Sequence, residues 1–113
     1  MAFQKILSAS GPLPLTAQFN SPADGPVDFL VTSTAWSSSQ AGLIGIEVLI
    51  DGVPLGSAML FANNTGMHMT LPTIFATANL KQLKAHKVEL AIAPNGGLTT
   101  TDFNDFFTVT LQY

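Results

Sequence analysis

The chain has 113 residues and a mass of 11.9 kDa, and seven acidic residues against four basic ones give it a net charge of −3. Charged residues make up only 10% of the chain, whereas soluble domains average about 25%. The basic residues are all lysines. The lack of arginine argues against nucleic-acid binding, because arginine supplies the bidentate contacts to phosphate and guanine. The absence of cysteine excludes disulfide bonds and thiolate catalysis.

No segment has the composition of a membrane span or a classical export signal. The first residues, MAFQKILSASG, contain no apolar run long enough for a signal peptide, and no stretch approaches the roughly 18 apolar residues of a membrane span. We therefore expect a soluble protein that is not inserted into a membrane, in a compartment that the sequence does not specify. Lys81, Lys84 and Lys87 are expected to solubilise an edge or a loop.

Alternating polar and apolar residues predict strands along most of the chain. Residues 26–36, PVDFLVTSTAW, form one such segment, with Trp36 on the face opposite its apolar row. Residues 43–61, LIGIEVLIDGVPLGSAMLF, predict two more strands, and Asp51 with Gly52 predicts the hairpin turn between them. The side chains predicted to point inward are Val27, Phe29, Val31, Ser33, Ala35, Ile44, Ile46, Val48 and Ile50.

The second half of the chain continues this pattern. Residues 67–80, MHMTLPTIFATANL, predict a strand that Pro72 places at an edge or a bulge. Residues 77–87, TANLKQLKAHK, are predicted to be a connection with at most one helical turn. The segments KVELAIA and FFTVTLQY predict the last strands, and their inward residues are expected to be Val88, Leu90, Ile92, Phe107, Val109, Leu111 and Tyr113.

Short strands separated by turns rich in Gly, Pro and Asn indicate an all-β fold. The turns read GPLP, SPADGP, NNTG and PNGG, and no segment between them has a helical period. About seven to nine strands at this spacing predict a single-domain antiparallel β-sandwich of jelly-roll type over residues 1–113.

The sequence offers little for catalysis, and we expect that the protein is not an enzyme. No serine occupies a nucleophile-elbow pattern. His68 is expected to be partly buried and hydrogen-bonded rather than a ligand, and His86 is expected to lie in a turn. Asp102 and Asp105 are too close together in one loop to flank a substrate as the two carboxylates of a glycosidase do.

The segment TTTDFND places Asp102, Asn104 and Asp105 directly before the last strand. One interpretation is a calcium site, because calcium is bound by carboxylate, amide and carbonyl oxygens gathered in one loop and its neighbours. Asp102 and Asn104 would then project to the same side of an extended segment, and Asn20 and Asn95 would add oxygens if their loops lie at the same end. The other interpretation is a turn in which Asp and Asn bond to their own backbone.

Trp36 and the loop of Asn63 and Asn64 are the remaining candidates for ligand binding. A tryptophan at a strand end, beside the polar loop SSSQAG, suits stacking on a sugar ring, and amides suit the recognition of hydroxyl groups. The alternatives are a core tryptophan displaced by a bulge and an ordinary surface turn.

Two short segments resemble the small bacterial calcium-dependent fucose-binding lectins. DFNDFFTVTLQ is similar to the end of that family, where an Asp–aromatic–Asn–Asp motif precedes the last strand. LTAQFNS is similar to the family's segment with an asparagine calcium ligand, which corresponds to Asn20. The resemblance implies calcium and sugar binding, but the positions of the family's further acids read GGLTTT here, so it implies one ion at most.

The order of features along the whole chain resembles jelly rolls of the tumour-necrosis-factor and complement-globular-head type. That resemblance implies a homo-oligomer, with a trimer as the first expectation, and recognition of partners or sugars. The low charged fraction agrees with association, because the cores of interfaces are depleted in charge.

Two classes of function therefore remain open. The first is a lectin-like module that binds glycans without catalysis, as an oligomer, through Trp36, Asn20, Asn63, Asn64 and Asn95. The second is a structural or adhesive assembly subunit, of the tail-fibre or capsid-surface type, without a small-molecule ligand. We expect the first of these.

Overall fold

The structure is a computed structural model that describes residues 1–113. The chain forms eleven strands and no helix. It therefore has no helix that is long and apolar enough to cross a membrane. The strands are β1 Phe3–Ser10, β2 Leu15–Asn20, β3 Gly25–Thr32, β4 Thr34–Ser37, β5 Gly42–Ile50, β6 Val53–Ala62, β7 Met69–Thr70, β8 Ile74–Leu80, β9 Ala85–Ile92, β10 Thr99–Thr100 and β11 Phe106–Gln112.

Two four-stranded antiparallel sheets pack face to face, in the orders β1-β11-β3-β8 and β2-β9-β5-β6. This order is that of a jelly roll, in which the long strands alternate between two sheets along most of the chain. The prediction of an all-β jelly-roll sandwich is therefore confirmed. Of the eleven strands, β7 and β10 have two residues each and the other nine have at least four.

The core lies between the two sheets and is built from the predicted inward rows. Val27, Phe29 and Val31 of β3 are fully buried, and Ile44 and Ile46 of β5 face them from the other sheet with no exposed surface. Burying each such side chain contributes about 1.5–3 kcal/mol relative to leaving it in water. Strict alternation therefore predicted the faces of these strands correctly.

Two residues predicted to point inward are partly exposed because they lie where a sheet ends. Ile92 is 40% exposed, since it pairs with Ile46 of β5 on one side, but β2 begins at Leu15, opposite Leu90, and leaves the other side of β9 unflanked. Tyr113 is also 40% exposed, because it follows the last residue of β11. Both residues are exposed because a strand ends nearby, and a local sequence pattern does not show where a strand ends.

The segment predicted as one strand around Pro72 is two strands. β7 pairs with β4 and β8 pairs with β3, and Pro72 lies in the break between them. The predicted connection of residues 77–87 is also shorter than expected, since only residues 81–84 separate β8 from β9. In both places the partner strand determines where pairing stops.

A third sheet, of order β10-β4-β7, closes one end of the sandwich, and we call this end the β4 end. β4 continues from β3 with only Ser33 between them. Its alternation buries Ala35 and Ser37, and it leaves Thr34 and Trp36 half-buried on the opposite side. Trp36 therefore lies on the face that the sequence predicted.

The Asp51 and Gly52 turn lies at the opposite end, which we call the hairpin end. Asp51 has φ = 52° and Gly52 has φ = 82°, and their neighbours Ile50 and Val53 pair directly, as in a type I′ turn. The Asp51 carboxylate accepts hydrogen bonds from the Lys87 amide at 2.9 Å and from His86 Nδ1 at 2.7 Å. These bonds attach the hairpin to β9.

The prediction that His86 lies in a turn is wrong. It lies in β9 and is 8% exposed, in the same inward row as Val88 and Leu90. Its ring packs against Phe19 with centroids 5.6 Å apart. If the inward row of Val88 and Leu90 is continued two residues towards the N-terminus, it predicts that His86 also points inward.

Replacement of Asp51 by Asn tests the attachment of the hairpin. The hydrogen bond from His86, and then that from the Lys87 amide, lower the pKa of Asp51 below its ordinary value of 3.8. A lowered pKa stabilises the fold above the ordinary value, and that stabilisation is lost as the pH falls through the folded-state value. Because Asp51 is half exposed, we expect Asp51→Asn to reduce the free energy of unfolding by about 1 kcal/mol at pH 7.

The measurement is urea unfolding between pH 7 and pH 2. We expect the curves of the wild type and Asp51→Asn to converge as the pH drops below 3.8. Asp28→Asn is the control, since the Asp28 carboxylate accepts a hydrogen bond only from the exposed Thr77 hydroxyl. A difference that persists unchanged in acid would contradict the electrostatic explanation.

Candidate functional site

Asp105 is the centre of the β4 end. It is fully buried, and its carboxylate accepts three hydrogen bonds, from the Thr34 hydroxyl at 2.8 Å, from His68 Nδ1 at 2.7 Å and from the Asp102 amide at 2.9 Å. A buried carboxylate is stable only when its oxygens are satisfied in this way. Asp105 therefore ties together three segments that are distant in sequence.

Strand pairing brings these segments to the same place. β4 pairs antiparallel with β7, Thr34 with Thr70, and continuation of this register brings His68 opposite Trp36, on the same face of β4 as Thr34. The Thr34 hydroxyl also accepts a hydrogen bond from the Phe106 amide at 3.2 Å, which attaches the start of β11 to β4. The arrangement follows from the sheet topology.

Residues 101–105 form a tight turn, as the second interpretation of this segment predicted, so Asp102 and Asn104 do not project from an extended segment. The Asp105 amide donates to the Asp102 carbonyl at 3.0 Å, and the Asn104 amide donates to Asp102 Oδ1 at 2.8 Å. These are the bonds with which an aspartate caps its own turn. As a result, Asn104 is exposed and its side chain makes no hydrogen bond with the cluster around Asp105.

The imidazole of His68 lies between the two aspartates. Its Nδ1 donates to Asp105, as expected for a hydrogen-bonded histidine, and its Nε2 lies 3.9 Å from Asp102 Oδ2. The hydrogen bond to Asp105 raises the pKa of His68 above 6.5, and the negative charges of Asp105 and Asp102 add to this against partial desolvation. The ligand atoms of these three residues lie within 4.8 Å of one another.

Trp36 packs against the imidazole of His68. The two rings lie 5.6 Å apart with an interplanar angle of 37°, so His68 covers part of the indole. The indole Nε1 is buried and has no hydrogen-bond partner within the protein. Trp36 is thus half-buried against His68, which leaves less of its ring for a sugar than the sequence suggested.

The other predicted binding residues divide between the two ends. Asn63, Asn64 and Asn95 are exposed in loops at the β4 end. Asn20 is elsewhere: it pairs with Ala85 at the last position of β2, about 17 Å along the strand from Leu15. The expected contribution of Asn20 to a site with Asp102 is therefore wrong, because the two lie at opposite ends of the sandwich.

The sequence did not indicate Phe103 or His68 as site residues. Phe103, at the tip of the turn, is 78% exposed and follows Asp102 in the chain, and the side chains of Asp102 and His68 are 40% and 34% exposed. The position of Phe103 between the turn-forming residues Asp102 and Asn104 was the available signal for its exposure. No local signal indicated that His68 would join them, since it is 37 residues from Asp105.

The residues present do not fit a calcium ion. Calcium is bound by six to eight oxygens, whereas both Asp105 oxygens and Asp102 Oδ1 already accept hydrogen bonds. Only Asp102 Oδ2 lacks a protein donor, and its neighbour is an imidazole nitrogen. A mixed imidazole and carboxylate set is more typical of zinc-like ions.

No protein-family model and no curated protein sequence matches this chain. Its fold is similar to the tripod from the baseplate of bacteriophage Tuc2009, with a TM-score of 0.61 and 16% identity over 96% of this chain. The chain spans 62% of that phage chain, which is less than two thirds of its length.

Two further solved structures have the same fold. The globular domain of the zebrafish complement 1qA protein has a TM-score of 0.57 and 12% identity, over 96% of this chain and 90% of that one. The EclA C-terminal domain, described as a sugar-binding protein, has a TM-score of 0.52 and 11% identity, over 96% of this chain and 70% of that one. At such identities the similarity shows the fold alone, and it agrees with the predicted likeness to complement-type jelly rolls.

Replacement of Asp105 by Asn tests whether this residue holds the β4 end. We expect Asp105→Asn to lower the free energy of unfolding by about 2–4 kcal/mol, because a buried network loses its charged acceptor. Asp102→Asn is the matched control in the same turn, and we expect it to cost at most about 0.5 kcal/mol, since asparagine also caps turns and the side chain is partly exposed. Equal losses in urea unfolding would contradict the central role of Asp105.

The titration of His68 tests the same network by an independent signal. A pKa raised by folding stabilises the protein fully below the unfolded value, and this stabilisation is lost as the pH rises through the folded value. We therefore expect the stability advantage of the wild type over His68→Gln to be largest below pH 6.5 and to shrink in alkali. NMR of the His68 ring should show a raised pKa that falls in Asp105→Asn; an unchanged pKa would contradict the assignment.

Proposed function

We propose that the protein is a non-catalytic carbohydrate-binding module that contacts sugars through the β4 end. The observation that carries this proposal is an exposed aromatic residue, Phe103, next in the chain to Asp102, whose carboxylate lies 3.9 Å from His68; hydrogen bonds hold both of these partly exposed polar groups in place. Aromatic side chains accompanied by a few precisely placed polar groups also line small-molecule sites.

Each group has a distinct role in this proposal. The Phe103 ring packs against the apolar face of a sugar ring. Asp102 Oδ2 accepts a hydrogen bond from a sugar hydroxyl, and His68 Nε2 takes part in a second one. Because Asp105 orients His68 and the turn already orients Asp102, little side-chain entropy is lost when a sugar binds.

The loops around this surface supply the remaining contacts. Asn63, Asn64 and Asn95 are exposed at the same end and offer amide groups to hydroxyls at the rim. Trp36 acts as the support of His68 rather than as the stacking ring. Calcium is not required, because the donor set does not fit it.

The folds of similar proteins support this class of function without defining the ligand. The EclA domain is described as sugar-binding, and a sugar-binding role for this chain is our extension of that likeness. Glycans are the proposed partners, with no nucleic acid and no membrane insertion.

An assembly or adhesive subunit is the second candidate, and a specific observation favours it. Twelve large apolar side chains are exposed on the surface, and the charged fraction is only 10%. A similar fold occurs in the baseplate tripod of a phage. Such a subunit would oligomerise but bind no sugar.

The test is a glycan array with the wild type, Phe103→Ala and Phe75→Ala, in buffer with calcium and again with EDTA. Phe75 is the matched control, since it is 73% exposed but lies on the outer face of the edge strand β8, opposite Leu30 of β3 and outside the turn of residues 101–105. We expect selective binding that survives EDTA and Phe75→Ala. Removal of the Phe103 ring should weaken it about tenfold, which corresponds to about 1.4 kcal/mol of lost stacking and burial.

Three results would count against this proposal. A blank array for a folded wild type would favour the assembly subunit. Loss of binding in EDTA would restore the calcium hypothesis and require the turn to rearrange. Equal effects of Phe103→Ala and Phe75→Ala would place the site elsewhere.

A further inference from the structure

β6 is an edge strand whose last seven residues have none of the usual protection. It is the last strand of its sheet and pairs only with β5, so alternate N–H and C=O groups along its outer side make no hydrogen bond within the chain. From residue 56 to residue 62, GSAMLFA, it contains no charge, no proline and no register shift, since Pro54 and the bulge at Leu55 lie before this stretch. Such an edge readily pairs with another strand.

The other edge strands are protected or shorter. β1 has Lys5 and a register shift between Lys5 and Leu7, and both features discourage pairing. β2 has six residues, bounded by Pro14 and Pro22. β8 has seven residues, and on its outer face the Thr77 hydroxyl donates a hydrogen bond to Asp28 of the neighbouring strand β3. β6, with ten residues, is the longest strand of the fold.

An apolar strip lies beside the outer edge of β6. Phe61 is 54% exposed and Leu43, its partner on β5, is 47% exposed, both on the outer face of the sheet. Met59 pairs with Gly45 on the same face, two residues along. The one charge of β5 on this face is Glu47, which lies opposite Ser57 and one strand away from the edge.

We propose that β6 pairs antiparallel with β6 of a second copy of this chain, so that two four-stranded sheets form one continuous sheet across a two-fold axis. A second copy fits because antiparallel self-pairing presents the same uncharged strand from both sides, with no like charges opposed. In a register that pairs odd-numbered residues with odd-numbered ones, Phe61 and Met59 of both copies share one outer face. The interaction is independent of sugar binding.

The proposed assembly is a dimer, whereas the sequence led us to expect a trimer. A two-fold contact uses the same patch twice and closes on itself, so it adds no third copy. The two copies of Glu47 lie at least three strand spacings apart, about 14 Å, which exceeds the screening length at physiological salt. Charge repulsion therefore does not oppose the contact.

Sedimentation equilibrium of the purified chain tests the proposal, over concentrations from about 1 μM to about 1 mM. We expect the wild type to approach twice the chain mass of 11.9 kDa with increasing concentration. Phe61→Lys and Ser57→Lys both place a charge on exposed side chains of β6, and we expect either to restore the mass of a single chain. Circular dichroism confirms that each variant is folded.

Phe3→Lys is the matched control, since Phe3 is 62% exposed on β1, the edge strand of the other sheet. We expect it to leave the dimer intact. Hydrogen exchange gives a residue-level signal: β6 amides that point away from β5 should exchange at least tenfold more slowly in the wild type than in Phe61→Lys at the same concentration.

Three outcomes would overturn the proposal. One is a wild type that sediments as a single chain throughout this range. Another is a mass of three chains, which would favour the trimer expected from the resemblance to tumour-necrosis-factor-like jelly rolls. The third is a dimer that Phe3→Lys disrupts as strongly as Phe61→Lys, which would place the contact on the β1 sheet.

Discussion

The arrangement of the β4 end depends on one buried carboxylate. Asp105 is removed from water, and that costs several kcal/mol unless its oxygens are bonded. Donors from β4, from the residue before β7 and from its own turn supply those bonds. All three donors must reach the same carboxylate. The third sheet, the turn before β11 and the His68 imidazole are therefore fixed relative to one another. The exposed groups that we assign to recognition, Asp102, His68 and Phe103, are thereby held by a part of the molecule that water does not reach.

The sequence predicted the fold to a large extent because period-two alternation is a local property. The rows containing Phe29, Ile46 and Val109 face the core as expected, and the turn at Asp51 forms the expected hairpin. Errors arose where the answer depends on a distant strand: Ile92 is exposed because β2 stops short, and the segment around Pro72 divides between two sheets. The site was predictable only in part. The turn of residues 101–105 is a local feature, but the two side-chain donors to Asp105 are 37 and 71 residues away, and only the topology brings them together.

The two proposed surfaces have a geometric consequence when taken together. β6 runs from the hairpin end towards the β4 end, since Val53 follows the hairpin turn and Ala62 pairs with Gly42. Antiparallel pairing of two β6 strands would therefore direct the two β4 ends away from each other. A dimer of this kind would bridge two glycan-bearing surfaces, and it would gain avidity on a single surface only where glycans reach both ends. This arrangement joins the two candidate functions, because one assembly contact would determine how the recognition sites are presented.

We have proposed that the end held by Asp105 binds sugars. The most direct measurement is amide chemical-shift mapping by NMR, with fucose, galactose, mannose and N-acetylglucosamine added separately to the wild type and to Phe103→Ala. We expect at least one sugar to shift the amides of residues 101–105 and 67–68, with smaller changes at Asn63 and Asn64, and we expect these shifts to vanish in Phe103→Ala. Shifts confined to the hairpin end near Asn20, or no shift with any of the four sugars, would contradict it.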